Sequence, residues 1–398
     1  MEFDFTSLLD RRGRDSVAFD VIPFEGFTVK EGFEPIPMWI ADMSFPVAPA
    51  VTAALQKRME VPNYGYFGLP DEYYESIISW QERRNGVRGL SKEHIGYENG
   101  VLGGVSAAIQ AFTAPGEAVL VHSPTYVGFT GTAKNIGRRL VHSPLKRDGE
   151  GIWRMDYEDM DEKIKRHGIG VVIFCNPHNP CGRAWERREL EKAMEVYAKN
   201  DCIVISDEIW SDIIMPGNRH IPLQSISEDA RRRTIAFYSP SKTFSLAGLV
   251  GSYHIVYNDT LRRRLVRQSD MSHYNSCNVL SMHALLGALS REGERWAEAM
   301  IGVIDENLRY ACDFIERNFA GVSCMRPQAT YMLYLDCSEY LERRGESVKE
   351  LQRRGVEHGV IWQDGEAFMQ ENTIRMNLAL PKARLEEAMD RLEKYVFI

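Results

Sequence analysis

Six short apolar runs, at 118–122, 139–142, 170–175, 202–206, 234–238 and 252–257, constrain this chain more than any other feature. Each has the length of a strand, and helical stretches separate several of them. Residues 187–199 are the plainest of these, with Leu190, Ala193, Met194 and Tyr197 at helical spacing. Strands that alternate with helices pair in parallel, because each helix carries the chain back to the edge where the previous strand began. The expected fold class is therefore α/β, with a large doubly wound, mainly parallel sheet. Ligands bind such sheets at the carboxyl ends of the strands, so the residues just after each run carry the functional reading.

Around this centre the chain divides by rhythm. Residues 1–34 show little periodicity and read as an arm. The prolines of Pro35-Ile-Pro-Met-Trp-Ile-Ala-Asp-Met-Ser-Phe-Pro46 favour extended chain over helix. Helices are expected over 49–59 and 71–85, with a glycine-broken aromatic loop between them at 63–70. A further helix ends near Phe112. Beyond about 279 a long helical stretch to 319, interrupted near 291–293, precedes strands at 330–336 and 373–380 and helices at 347–358 and 382–396. That pattern predicts a smaller α+β domain. The expected division is 1–45 as arm and part of the small domain, 46–280 as the large domain and 281–398 as the C-terminal small domain. At 398 residues the chain is long enough for two or three such units.

Composition is that of a globular protein, 44% hydrophobic and 26% charged. A net charge of −8 argues against a nucleic-acid or anionic-membrane partner, both of which attract positive charge. No secretory signal and no run long enough to span a bilayer are expected. Seven scattered cysteines without a Cys-x-x-Cys pair fit free thiols in the cytoplasm.

The chemistry-bearing residues sit where the sheet places ligands. Asn176-Pro-His-Asn-Pro-Cys-Gly182 follows the run at 170–175, Asp207 follows 202–206, and Ser239-Pro-Ser-Lys242 follows 234–238. A strand-tip Asp is ordinarily a turn residue, and an isolated Ser-x-x-Lys is common; their order is what carries information. Cys175, His178 and Cys181 match no standard metal-ligand spacing, so no metal is expected. Gly100-Val-Leu102 opens a helix whose first amides can face an anion. Tyr126 could stack on a flat ligand. Arg375 lies in Ile374-Arg-Met-Asn-Leu378, a semi-buried strand where an unpaired guanidinium would be costly, and its geometry suits a carboxylate.

Asn179, Asp207, Lys242 and Arg375, at spacings of 28, 35 and 133, resemble the type I fold of pyridoxal-phosphate enzymes. The likeness covers about residues 35–396. Within the aminotransferase class I/II superfamily the chain is similar to the MalY/PatB branch of cystathionine β-lyases and cysteine C–S lyases. Pro37-Met-Trp-Ile-Ala-Asp-Met43 with Phe45-Pro46, Tyr73-Tyr74, Trp80, Lys134-Asn135, Gly137-Arg-Arg-Leu140, Asp207-Glu-Ile-Trp210 and Ser239-Pro-Ser-Lys-Thr-Phe244 carry that similarity.

The resemblance implies Lys242 as the Schiff-base lysine, Asp207 as the carboxylate that keeps the pyridine nitrogen protonated, and Tyr126 as the stacking partner. It implies cofactor contacts from Val101, Leu102, Asn179, Trp210, Ser239 and Ser241. Arg375, Ala41 and Asn179 would meet the substrate. A homodimer is implied, with Tyr66 reaching the partner subunit's cofactor phosphate. The implied activity is carbon–sulfur β-elimination giving pyruvate, ammonia and a thiol, with transamination and a cofactor-bound regulatory role as alternatives. Three positions depart from pattern. Val250 stands where aspartate-type aminotransferases have a phosphate-binding arginine, Trp210 replaces a tyrosine, and Val127 follows Tyr126 where C–S lyases often have a second tyrosine.

Overall fold

The computed structural model describes residues 3–398. Its larger sheet has seven strands: β1 (Ile95–Asn99), β2 (Ala118–Ser123), β3 (Arg139–Pro144), β4 (Val171–Cys175), β5 (Ile203–Asp207), β6 (Thr234–Tyr238) and β7 (Gly251–Ile255). They lie in the order β1-β7-β6-β5-β4-β2-β3. From β3 through β6 every pairing is parallel. β7 alone runs against its neighbours, antiparallel to both β6 and β1.

The period of two along each strand explains the layers. On β4, Val172 and Phe174 join Leu190, Ala193, Met194 and Tyr197 of the helix Arg187–Lys199 in one apolar core. Val171, Ile173 and Cys175 face the other way, into a core shared with Val105, Ala108 and Ile109 of the helix Val101–Phe112. A sheet covered on both faces needs strands apolar on both faces, and every residue of β4 and β6 is buried.

A second, wholly antiparallel sheet comprises β8 (Ser323–Cys324), β9 (Met332–Asp336), β10 (Gln363–Asp364) and β11 (Thr373–Asn377), in the order β8-β9-β11-β10. The extended segment after residue 35 packs here. Ile36 and Pro37 pair in parallel with Val360 and Ile361, and Asn377 donates its backbone N–H to Met38. The expected break in the long helical stretch falls at Leu289 and Ser290, between the helices Val279–Ala288 and Arg291–Asn318. Ser290 caps the second by accepting from the Gly293 amide.

The short strands β8 and β10 were not read from the sequence, and neither were two features of the large sheet. β1 was missed because the buried Glu98 breaks its apolar pattern. That carboxylate is matched by His254, Tyr274 and Asn275, all distant in sequence. The reversed direction of β7 is also silent in sequence, since side-chain alternation is the same either way. No helix among the described residues is long and apolar enough to cross a membrane.

Candidate active site

The carboxyl ends of β1, β2, β4, β5 and β6 meet along one rim of the large sheet. Because β7 is reversed, its beginning joins them there. A cavity of about 200 Å³ opens at this rim, with Asp207, Lys242, Asn179 and Tyr126 in its wall.

Asp207 is the last residue of β5. Its Oδ1 accepts from the Ile209 amide at 3.0 Å, an Asx turn that fixes the carboxylate towards the cavity. Burial pushes this carboxyl from 3.8 up to about 7, against the pull of the Ile209 amide and the Lys242 charge. A buried carboxyl of this kind calls for a cationic or proton-donating partner in the space before it.

Lys242 sits in the tight turn after β6 and donates from Nζ to the Ala41 carbonyl at 3.0 Å. Burial, reinforced by Arg375, lowers its ammonium from 10.5 to about 8. A neutral amine is therefore accessible near neutral pH, which both a nucleophilic and a proton-accepting lysine require. Ser239, at the start of the same turn, donates to the Gly251 carbonyl at 2.6 Å and accepts from the Ser241 amide at 3.1 Å. These bonds tie the turn to the first residue of β7.

Arg375 lies on β11 of the small sheet and is bonded to the cavity wall through Asn179. It donates to Asn179 Oδ1 and to the Trp39 carbonyl, both at 3.0 Å, and its guanidinium carbon stands 4.5 Å from the Phe368 ring centre. Its buried Nε has no partner. Burial lowers it to about 10, while Tyr126, Tyr331 and Tyr334 oppose that shift. An incompletely matched guanidinium beside a cavity is a ready receptor for a carboxylate.

At the other end of the cavity, Gly100 precedes the helix Val101–Phe112 with φ +85°, a conformation that favours glycine. Val101 and Leu102, the first helical residues, line the cavity, and their amides are among those a helix start leaves without intrahelical partners. Gly104 lets this helix lie on the sheet, since a Cβ there would come within 2.3 Å of the Phe237 ring. Tyr126 is half-buried in the wall, edge-on to Phe129 at 5.4 Å. Trp210 lines the cavity and packs edge-on against Tyr331 at 4.7 Å.

The cavity thus gathers Ala41, Val101, Leu102, Tyr126, Asn179, Asp207, Trp210, Ser239, Ser241 and Lys242, with Arg375 bonded to its wall. Tyr66 is not among them: it stands fully exposed on the surface. Cys175, Ile209, Ala247 and Gly251 also line the cavity and were not read from the sequence, and Val250, noted there for the arginine it lacks, lines it too. Cys175 follows the same strand-tip rule as Asp207, which could have found it. Gly251 arrives through the reversed β7, for which there was no signal. Val250 has φ +59°, uncommon for a β-branched residue and a mark of strain held at a functional rim. No cluster of three or more metal-ligating side chains occurs among the described residues.

This donor set fits pyridoxal phosphate. The group needs an amine for its aldehyde, a carboxylate for its pyridine nitrogen, amide donors for its phosphate and an aromatic face for its ring. Lys242, Asp207, the Val101 helix start and Tyr126 present these around one cavity.

Comparison with known proteins agrees with this chemistry. The model of the family described as "Aminotransferase class I and II" matches residues 36–392. Cystathionine beta-lyase PatB of Bacillus subtilis is 32% identical, over 98% of this chain and 99% of its own. Cystalysin of Treponema denticola, solved with pyridoxal 5'-phosphate, is 29% identical with a TM-score of 0.92, covering 99% of this chain and 98% of its own. The pyridoxal-phosphate-bound C-S lyase of Staphylococcus hominis is 30% identical with a TM-score of 0.88, covering 98% of each chain.

Proposed function

Because the chain belongs to the aminotransferase class I and II family, and depends like its relatives on pyridoxal phosphate, we propose that it is a carbon–sulfur β-lyase. The substrate is an amino acid carrying a β-thioether, of the cystathionine or cysteine-S-conjugate type, and the products are pyruvate, ammonia and a thiol. The observation that carries this reading is the likeness, over nearly the whole chain, to proteins named as carbon–sulfur lyases. The strained, uncharged Val250 at the cavity rim supports it.

When bound, the cofactor supplies an electron sink for the pair left behind as the substrate's α-proton departs. The chain supplies the rest. Lys242 Nζ, depressed towards neutrality, accepts that proton once the substrate is seated. Asp207 holds a proton at the pyridine nitrogen, and its burial strengthens that interaction. Arg375 receives the α-carboxylate, exchanging its bond to the Trp39 carbonyl for the charged one.

Further parts of the reading rest on less. The fully exposed Tyr66, with Met59, Val61 and Tyr64 exposed nearby, supports a homodimer in which Tyr66 completes the partner's phosphate site. Seven free cysteines support a reducing, cytoplasmic setting. We read the large domain as 46–280 and the small one as 281–398 joined by residues 1–45.

The family's own description supports a second reading, an aminotransferase that shares every residue above. One assay separates them. Cystathionine or a cysteine S-conjugate should give stoichiometric pyruvate, ammonia and thiol without added oxo acid. Faster turnover of alanine with an oxo acid would overturn the lyase reading in favour of transamination.

A further inference from the structure

The helix Arg291–Asn318 and strand β8 are joined by a tight turn that brings two thiols together. Cys312, on the helix, and Cys324, on the strand, have sulfurs 3.8 Å apart, and both residues are half-buried. Among the other five cysteines, Cys175, Cys181, Cys202 and Cys337 are buried and Cys277 is half-buried; no other sulfur pair is hydrogen-bonded. The turn is held by the Val322 amide donating to the Phe319 carbonyl. Gly321 lies within it at φ +85°, against the Tyr340 backbone. Bridging requires the sulfurs to close from 3.8 Å to about 2.05 Å.

From this geometry we propose that Cys312 and Cys324 form a reversible dithiol–disulfide site that reacts with low-molecular-weight disulfides. The cationic surroundings assign the order of events. Arg326, which pairs with Asp305, and Arg147, which donates to the Ser323 hydroxyl at 3.3 Å, flank the pair. The hydrogen bond with Cys312 holds the Cys324 thiol below its usual value, and Arg147 acts in the same direction; Cys312 is pushed up. Cys324 is assigned as the attacking sulfur because Arg147, bonded to the adjacent Ser323, keeps Nε and Nη2 without partners, whereas Arg326 is paired with Asp305.

Its thiolate displaces one thiolate from the small disulfide, giving a mixed disulfide on Cys324. Cys312 then loses its proton and attacks the Cys324 sulfur. The second small thiolate leaves, and the protein has lost two protons and two electrons, which reduce the reagent to two thiols. Any thiol reverses the sequence, including one of the class released under the proposed function. The site lies where the two sheets meet, since Arg147 belongs to the segment after β3 and contacts Ser323 and Asp336 of the small sheet.

The test uses the full chain loaded with cofactor and treated with glutathione disulfide in the native state. The denatured protein should then show two fewer free thiols than its original seven. Peptide mapping should find Cys312 linked to Cys324, and mercaptoethanol should restore all seven thiols. The Cys312→Ser variant should stop at a stable glutathione adduct on Cys324, and Cys324→Ser should form no bridge. Unlinked adducts on both wild-type cysteines would overturn the proposal. So would a bridge that excludes either residue, or a count that stays at seven.

Discussion

Asp207 and Lys242 face one cavity with opposed burdens, and their pH behaviour follows from them. The native Asp207 carboxyl keeps its proton up to about pH 7, whereas an unfolded one releases it near 3.8. Between those values the native state binds more protons, so stability falls as pH rises. Lys242 acts in the opposite sense: from about 8 to 10.5 the unfolded state binds more protons, and stability rises with pH. Cofactor-free protein should therefore lose on the order of a few kcal/mol through Asp207 between about pH 4 and 7. Denaturant melts of wild type and Asp207→Asn should diverge across that window, and parallel curves would refute the assignment. At Arg375 the two bonds at 3.0 Å depend on guanidinium geometry. Arg375→Lys should reduce kcat/KM for a β-thio amino acid by roughly 10- to 100-fold, mainly through KM. An unchanged KM would remove Arg375 from substrate binding.

At the scale of elements, the segment 38–43 matters more than its lack of regular structure suggests. Its Ala41 lines the cavity, and the segment is held by polar bonds to β11 and to the turn after β6. Asn377 Nδ2 donates to the Ile40 carbonyl at 2.9 Å and to that of Asp42 at 2.7 Å, and Arg11 forms an ion pair with the Asp42 carboxylate. Lys242 and Arg375, the two groups proposed to meet the substrate, bond to carbonyls of this same segment. Asn377→Ala removes the side-chain donor from the Asp42 carbonyl and one of the two donors to the Ile40 carbonyl, which keeps the Asp42 amide, and should lower stability by about 1–3 kcal/mol. The substrate KM should rise with it, because Ala41 and Trp39 lose their fixed positions. Urea midpoints and KM values that match wild type would show that the segment is held by packing alone.

For the whole molecule, the exposed Tyr66 carries a prediction about assembly. Lys242→Ala and Tyr66→Ala proteins should each have little activity, since each lacks a part of every site. Mixed and allowed to exchange subunits, they should recover a fraction, because a hybrid dimer contains one site with both residues intact. Sedimentation should give twice the chain mass. A fully active monomer would end the shared-site reading.

The alternation of strands and helices was enough to give an α/β sheet, because local periodicity reports which faces are buried. It also placed Asn179, Asp207 and Lys242 at strand tips, since each lies a few residues beyond an apolar run. The helices Pro49–Met59, Asp71–Asn85 and Arg187–Lys199 matched their expected bounds for the same local reason. Tertiary structure decided what depends on partners far away in sequence. Glu98 is a strand residue only because His254, Tyr274 and Asn275 satisfy its buried charge. Gly251 reaches the cavity only because β7 runs backwards. Arg375 joins the cavity wall only where Asn179, 196 positions earlier, and Trp39, 336 earlier, converge on its guanidinium. Periodicity records how one segment meets its surroundings, but hydrogen-bond partners and strand direction are properties of pairs of segments, and those pairs are fixed only by folding.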